Sequence, residues 1–382
     1  MSGLAERLRG ELDMRAAHHR LRELREPSGV DCSSNDYLGL SRHPRVLDVL
    51  RDAADRGVPA GSAGSRLLAG NHAVHMEAER LFARFIGRER ALLFGSGFAA
   101  NLAVLSTIPA RHDLILLDAA AHASLKEGAR ASLATKRAFR HNDADDLRRM
   151  LRDRADFRDV FIVVEGIYSM DGDAAALGPI ARAAEECGAH LVIDEAHATG
   201  LYGGRLRGMH EAAGVAPLMT IHPCGKALGS SGAFVAGDAV AIDYLVNCAR
   251  PFLFSTAPPP LQVAGLAEAV RLLPLMHGRA RDLFGRVAHL RERLRSLRAW
   301  HVILSDSPIV PVIVSDDATA VKAASLLADE GFDLRPIRPP TVPAGTSRLR
   351  ISVTWDIPTE TINRLADLLI HAEERIVLKD DG

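Results

Sequence analysis

An aspartate and a histidine stand three residues apart, Asp194 and His197, and a lysine, Lys226, follows among small residues. Only five of the 47 basic residues are lysines: Lys126, Lys136, Lys226, Lys322 and Lys379. Lysine can act as a nucleophilic amine and arginine cannot, which singles out Lys226. The apolar run AHLVI (189–193) reads as a buried strand, with Asp194 at its C-terminal end, where open α/β sheets bind ligands. LMTI (218–221) and GAFVAG (232–237) read as the next two strands, with Lys226 on the loop between them. An acid, an imidazole and a primary amine thus converge on one sheet edge. A cofactor with an aldehyde and a protonatable ring nitrogen suits that set, and pyridoxal phosphate has both.

Each of these residues has an ordinary reading when taken alone. Asp194 can be a strand-end salt-bridge residue and Lys226 a surface lysine. His122 can be a helix cap and Ser169 a loop hydroxyl. The specific signal is their order on successive strand ends. Asp194–His197 also spells DEAH, a helicase signature, but TIHPCGKA (220–227) lacks the first glycine of a P-loop and the Ser/Thr after the lysine. The ATPase reading is therefore excluded. GSGFAA (95–100), between a strand and a helix, presents free N–H groups and a helix N-terminus to a phosphate. It also matches the dinucleotide fingerprint G-x-G-x-x-A, with Asp113 and Asp118 as candidate ribose carboxylates, so its ligand stays open.

The elements around these residues alternate. Strands are expected at 91–94, 113–118, 159–165, 189–193, 218–221 and 232–237, with crossover helices between, including 176–188. That is an α/β unit with a mostly parallel sheet. Ahead of it lie an arginine-rich amphipathic helix over 3–25, a turn-rich segment over 33–44, and helices over 43–55 and 72–86. The Gly/Ala/Ser-dense segment 57–72 carries Arg66 and reads as backbone packed against a ligand or a second subunit. Long helices follow at 260–275 and 278–298. Strands at 300–304, 309–314, 332–337 and 348–353, with helices at 317–330 and 358–375, make an α+β C-terminal lobe. The domain expectation is 1–45, 46–275 and 276–382.

A net charge of −1 gives no support for polyanion binding. The four cysteines are scattered, without metal-ligand or disulfide spacing, which suits a reducing cytoplasm and no metal. The charged N-terminus shows no signal-peptide pattern, and no apolar run approaches a membrane span.

The chain resembles the α-oxoamine synthase family of pyridoxal phosphate enzymes over about residues 10–370. The markers are SNDYLGL (34–40), GSRLLAGNHAVHMEAE (64–79), ALLFGSGFAAN (91–101), HASL (122–125), HND (141–143), EGIYSMDGD (165–173), DEAHATG (194–200), GKALG (225–229), FSTAPPP (254–260) and RPPTVPAGTSRLRIS (338–352). The resemblance implies the fold type I architecture of the aspartate aminotransferase kind. It implies that Lys226 forms the Schiff base and moves the Cα proton, that Asp194 pairs with the pyridinium nitrogen, and that His197 bonds the ring 3′-oxygen. His122 would stack on the ring beside the substrate. Gly97 and Phe98 would serve the phosphate end, Ser169 would touch the cofactor, and Thr256 would reach the partner subunit's phosphate in a homodimer. Asn35 and Arg350 would lie near the amino-acid carboxylate, Arg22 and Thr341 near the acyl substrate.

The implied reaction joins L-alanine to a pimeloyl thioester of coenzyme A or a carrier protein, releasing CO2. The alternatives are a glycine or serine acyltransferase of the same family, an NAD-linked dehydrogenase using GSGFAA, or a non-catalytic protein of this fold. Two departures from the family pattern stand out. Pro223 replaces the Ser or Thr usual three residues before the lysine, leaving His222 or Cys224 as candidate substitutes. EPSGVDC (26–32) also leaves little room for the strand pair relatives carry there.

Overall fold

Backbone pairing ties the N-terminal segment to the end of the chain. Val30–Asp31 forms a short parallel ladder with Phe332–Asp333, and Ser352 N–H donates to Cys32 O at 2.8 Å. The computed structural model describes residues 3–378. It divides into two compact units, one of Asp36–Ser169 and Ala174–Ala280, the other of the residues up to Asn35, Met170–Asp173 and those from Arg281 onward. Residues 3–35 therefore group with the C-terminal lobe rather than forming part of a separate 1–45 segment.

The larger unit is built on seven strands: β1 (Arg90–Phe94), β2 (Leu114–Asp118), β3 (Thr135–Phe139), β4 (Val160–Glu165), β5 (His190–Asp194), β6 (Met219–Pro223) and β7 (Ala233–Gly237). Their order is β1-β7-β6-β5-β4-β2-β3, and only β7 runs against its neighbours. The near-continuous apolar sequences of β2 and β4 follow from burial on both faces. Leu114, Leu116, Ile162 and Val164 enter one core, while Ile115, Leu117, Phe161 and Val163 enter the other. β3 escaped the sequence reading because TKRAF is an edge strand with four exposed residues and no apolar run.

The parallel strands all end at one edge of this sheet. Asp118, Glu165 and Asp194 close β2, β4 and β5 there, and the Lys226 loop leaves β6 at the same edge. Buried contacts hold that loop's root: Phe82 stacks on Phe234 with ring centroids 4.2 Å apart and meets His222 edge-on. Gly229, at φ 59°, passes so close to Ser41 that a Cβ would sit 2.1 Å from its amide nitrogen. Only glycine fits there.

The smaller unit holds a four-stranded antiparallel sheet, with Ser347–Ser352 and Ile309–Ser315 at its centre. The strand expected over 332–337 is two short pieces. Phe332–Asp333 joins Val30–Asp31, and Pro336–Ile337 joins Ser347–Ser352. The N-terminal helix ends at Ala17 rather than near residue 25, because His19 takes φ 54° and the Arg20 N–H turns back to Arg15 O. No strand pair lies between that helix and Asn35 among the described residues; Val30–Asp31 is the one short strand there. No described helix is long and apolar enough to cross a membrane.

Candidate active site

At the C-terminal edge of the seven-stranded sheet lies a cavity of about 280 Å³. Its walls include Gly97, Phe98, His122, Asp194, His197 and Lys226. The sequence reading had drawn these six together from four separate stretches of the chain.

Asp194 is 3% exposed. Its Oδ1 accepts the Ala196 N–H at 2.9 Å, and its Oδ2 accepts Asn101 Nδ2 at 2.7 Å. Asn101 Nδ2 also donates to Ser124 Oγ at 2.8 Å, and Ser124 Oγ lies 2.7 Å from His122 Nδ1. With its oxygen already accepting from Asn101, the Ser124 hydroxyl donates its proton to His122 Nδ1. That nitrogen also accepts the Ser124 N–H at 3.2 Å, which caps the following helix. The imidazole is thereby fixed with its proton on Nε2. Burial lowers its pKa, outweighing the attraction of Asp194.

Burial pushes the Asp194 carboxyl up, against the pull of Lys226 and the Asn101 amide. Glu165, beside it in register on β4, is pushed well up by burial and by the Asp194 charge. Its Oε1 is buried without a partner. Glu165 Oε1, next to the Asp194 carboxyl, is thus a buried polar atom in the cavity wall left for a bound group to satisfy. His197, also buried, has Nδ1 2.7 Å from the Tyr37 hydroxyl. Asn101, Ser124, Glu165 and Tyr37 were not singled out from the sequence. All four sit inside its markers, FAAN, HASL, EGIYSMDGD and SNDYLGL.

The phosphate-type end is the start of the Gly97–Thr107 helix, where Ser96 Oγ accepts the Ala99 N–H at 3.1 Å. Pro223 packs on this turn so closely that a Cβ on Gly97 would meet its ring at 2.8 Å. Neither proposed substitute for the missing hydroxyl faces the cup. Both ring nitrogens of His222 are engaged, Nδ1 with Thr199 and Nε2 with Thr220, each at 2.7 Å. Cys224 is fully buried, with its Sγ directed to His222 O.

The remaining sequence candidates lie elsewhere. Ser169 is buried beside the cavity, its N–H bonded to Glu165, and is not part of the wall. Thr256 is exposed and bridges to Ser65. In the smaller unit, Arg350 is 8% exposed and its guanidinium reaches Asn35 Oδ1 at 3.3 Å and Ser352 Oγ at 2.8 Å. Arg22 Nη2 donates to Thr341 Oγ1 at 3.0 Å on the wall of a second cavity, of about 630 Å³.

Comparison with known proteins places this arrangement. The family model for class I and II aminotransferases matches residues 27–369. The chain belongs to this family. It is 41% identical to a putative 8-amino-7-oxononanoate synthase 2 of Bacillus velezensis, over 88% of this chain and 86% of that protein. It is 38% identical to 8-amino-7-oxononanoate synthase of Chromobacterium violaceum, over 96% and 97%. Among solved structures, a serine palmitoyltransferase variant from S. paucimobilis, bound to a pyridoxal phosphate–myriocin aldimine, superposes with a TM-score of 0.90. It is 27% identical, over 97% of this chain and 98% of that one. The 8-amino-7-oxononanoate synthase of Francisella tularensis gives a TM-score of 0.77 at 26% identity, over 91% and 98%.

The aminotransferase family's cofactor, pyridoxal phosphate, fits the cavity on the donor set alone. A buried carboxylate is available for a protonated ring nitrogen, an amine for an aldehyde, and a helix N-terminus for a phosphate. The dinucleotide reading fails on its acids. Asp113 accepts from Ala110 N and Arg158, and Asp118 is enclosed by Tyr168, His141 and Asn142. Neither carboxylate is open to a ribose.

Proposed function

We propose that this enzyme joins L-alanine to a pimeloyl thioester, giving 8-amino-7-oxononanoate, CO2 and the free carrier, a step of biotin synthesis. The observation that supports this reading most is the cluster of Lys226, Asp194 and His122 around one cavity, in a chain about 40% identical to synthases named for that product. Pyridoxal phosphate, when bound, accepts the electrons released at the alanine Cα.

Lys226 would hold the cofactor through its amine and would serve as the base that takes and returns the alanine Cα proton. Asp194, stripped of water and oriented by Asn101, would pair with the protonated ring nitrogen. His122, its pKa lowered by burial, would offer a ring face without adding a second cation, and His197, held by Tyr37, would be the hydrogen-bonding partner for the ring 3′-oxygen. The helix start around Gly97 and Phe98 would hold the phosphate, and Ser169, behind the wall, would act on the cofactor through its bond to Glu165.

Asn35 and Arg350 bind the amino-acid carboxylate, and Arg22 and Thr341 the acyl chain. In the net reaction the alanine Cα attacks the thioester carbonyl, the C–S bond breaks and the carboxylate leaves as CO2. The condensation requires the two substrates to be held close together with the reacting carbons aligned. The active unit is a homodimer in which exposed Thr256 reaches the phosphate of the partner subunit's cofactor.

The second reading, a glycine or serine acyltransferase, is favoured by the TM-score of 0.90 with serine palmitoyltransferase. One experiment separates the two. The protein with pyridoxal phosphate is given pimeloyl-CoA with L-alanine, glycine or L-serine, and product and CO2 are measured by mass spectrometry. 8-Amino-7-oxononanoate from alanine is the expected result. Turnover confined to glycine or serine would overturn the substrate assignment, and no cofactor binding would overturn the enzyme assignment.

A further inference from the structure

Four hydroxyl-bearing residues line the main cavity: Ser96, Ser124, Ser230 and Ser231. Three are occupied. Ser96 Oγ caps the Gly97–Thr107 helix through the Ala99 N–H, and Ser124 Oγ links Asn101 to His122. Ser231 Oγ is engaged by the Gln262 amide. Among the described residues, no side chain or backbone group is bonded to Ser230 Oγ.

The backbone brings Ser230 to the end of the cavity that Pro223 occupies. Pro223 is the last residue of β6 and pairs with Ala233 on β7. The connecting loop folds back on itself: Cys224 N–H donates to Gly232 O and Ser230 N–H to Cys224 O, both at 2.9 Å. Ser230 is therefore held across from the residue next to Pro223. Pro223 itself lies against Gly97 at the helix N-terminus, and it brings neither a hydroxyl nor an N–H to a phosphate.

We propose that Ser230 donates to the cofactor phosphate the hydroxyl bond that Pro223 cannot make. The loop after the lysine would then complete the phosphate cup in place of the strand before it. This rests on the pyridoxal phosphate reading of the cavity. A hydroxyl bonded to a dianionic phosphate is charge-assisted, so its loss is felt in affinity.

The test compares pyridoxal phosphate with pyridoxal, which has the same aldehyde and ring but no phosphate. Apoprotein is titrated with each, and binding is followed by visible absorbance. Ser230→Ala should weaken pyridoxal phosphate about 10-fold or more and leave pyridoxal unchanged. Ser230→Thr should retain most of the affinity. Adding Pro223→Thr to Ser230→Ala should restore it, because a hydroxyl returns to the other side of the cup. Unchanged affinity for pyridoxal phosphate in Ser230→Ala, or an equal fall for both ligands, would overturn the proposal while leaving the cofactor assignment standing. Failure of the parent protein to bind pyridoxal phosphate at all would overturn both.

Discussion

Asn101 donates through Nδ2 to Asp194 Oδ2 at 2.7 Å, and through the same nitrogen to Ser124 Oγ, which in turn holds His122. One amide thus orients the carboxylate and fixes the tautomer of the imidazole. The reverse amide orientation would set its oxygen against the carboxylate.

Asn101→Ala should therefore lower kcat about 10- to 100-fold, the worth of one hydrogen bond to a buried charge. Asn101 acts through Asp194 and His122, so the pH profile should move as well. Without the Asn101 bond, which holds the Asp194 pKa down, the Asp194 carboxyl should titrate higher still. A mutant with unaltered kcat and an unaltered pH profile would show that the network does not position the site.

Lys226→Ala should abolish the visible absorbance of the covalently held cofactor and cut product formation by about 10³-fold or more, since nucleophile and base are lost together. The two readouts are independent. Turnover retained without the lysine would assign the Cα proton to another group.

Away from the cavity, Asp118 is fully buried and accepts from Tyr168 Oη, His141 Nδ1, Asn142 N and Ala120 N, each at 2.8 Å. Burial pushes its pKa up, but the bonds from His141 and the two amides outweigh that and hold it below the usual range. A carboxyl depressed on folding contributes stability that is present above its unfolded value of about 3.9 and is lost as pH falls through the lower folded value. Asp118→Asn should lower stability at neutral pH by about 3 kcal/mol, because an amide cannot accept all four bonds. It should also flatten the acid limb of the stability curve. Denaturant melts at pH 7 and pH 3 test both statements, and parallel curves for mutant and parent would contradict them.

The apolar strands were legible in the sequence because burial on both faces leaves a run such as LILLD or VFIVVE with few other readings. The edge strand Thr135–Phe139 was not, since edge position removes the apolar signal. Asp194 and Lys226 could be read from residue type and place along the chain. Asn101 and Glu165 could not be read in that way. Their significance lies in a 2.7 Å bond across 93 residues and in an orphaned oxygen, neither of which leaves a periodic trace. For Pro223 the sequence showed the loss of a hydroxyl, but the positions of His222 and Cys224 depend on side-chain direction at the strand end. The structure turns both into the interior.

Arg22 is one of four arginines on the wall of the larger cavity, with Arg25, Arg335 and Arg338. Arg25 pairs with Glu23 and Arg335 with Asp333, while Arg338 is drawn to the His19 carbonyl. Arg22 instead meets the neutral Thr341 hydroxyl, so its charge has no carboxylate counter-ion in that contact. A free guanidinium charge beside an apolar wall suits an acyl chain that ends in a carboxylate. Arg22→Ala should raise KM for pimeloyl-CoA about 10-fold with kcat little changed, the pattern of lost uniform binding. KM for heptanoyl-CoA, which lacks the distal carboxylate, should stay where it is. An equal rise for both thioesters would assign Arg22 to the carrier end of the substrate, and no rise for either would remove it from acyl recognition.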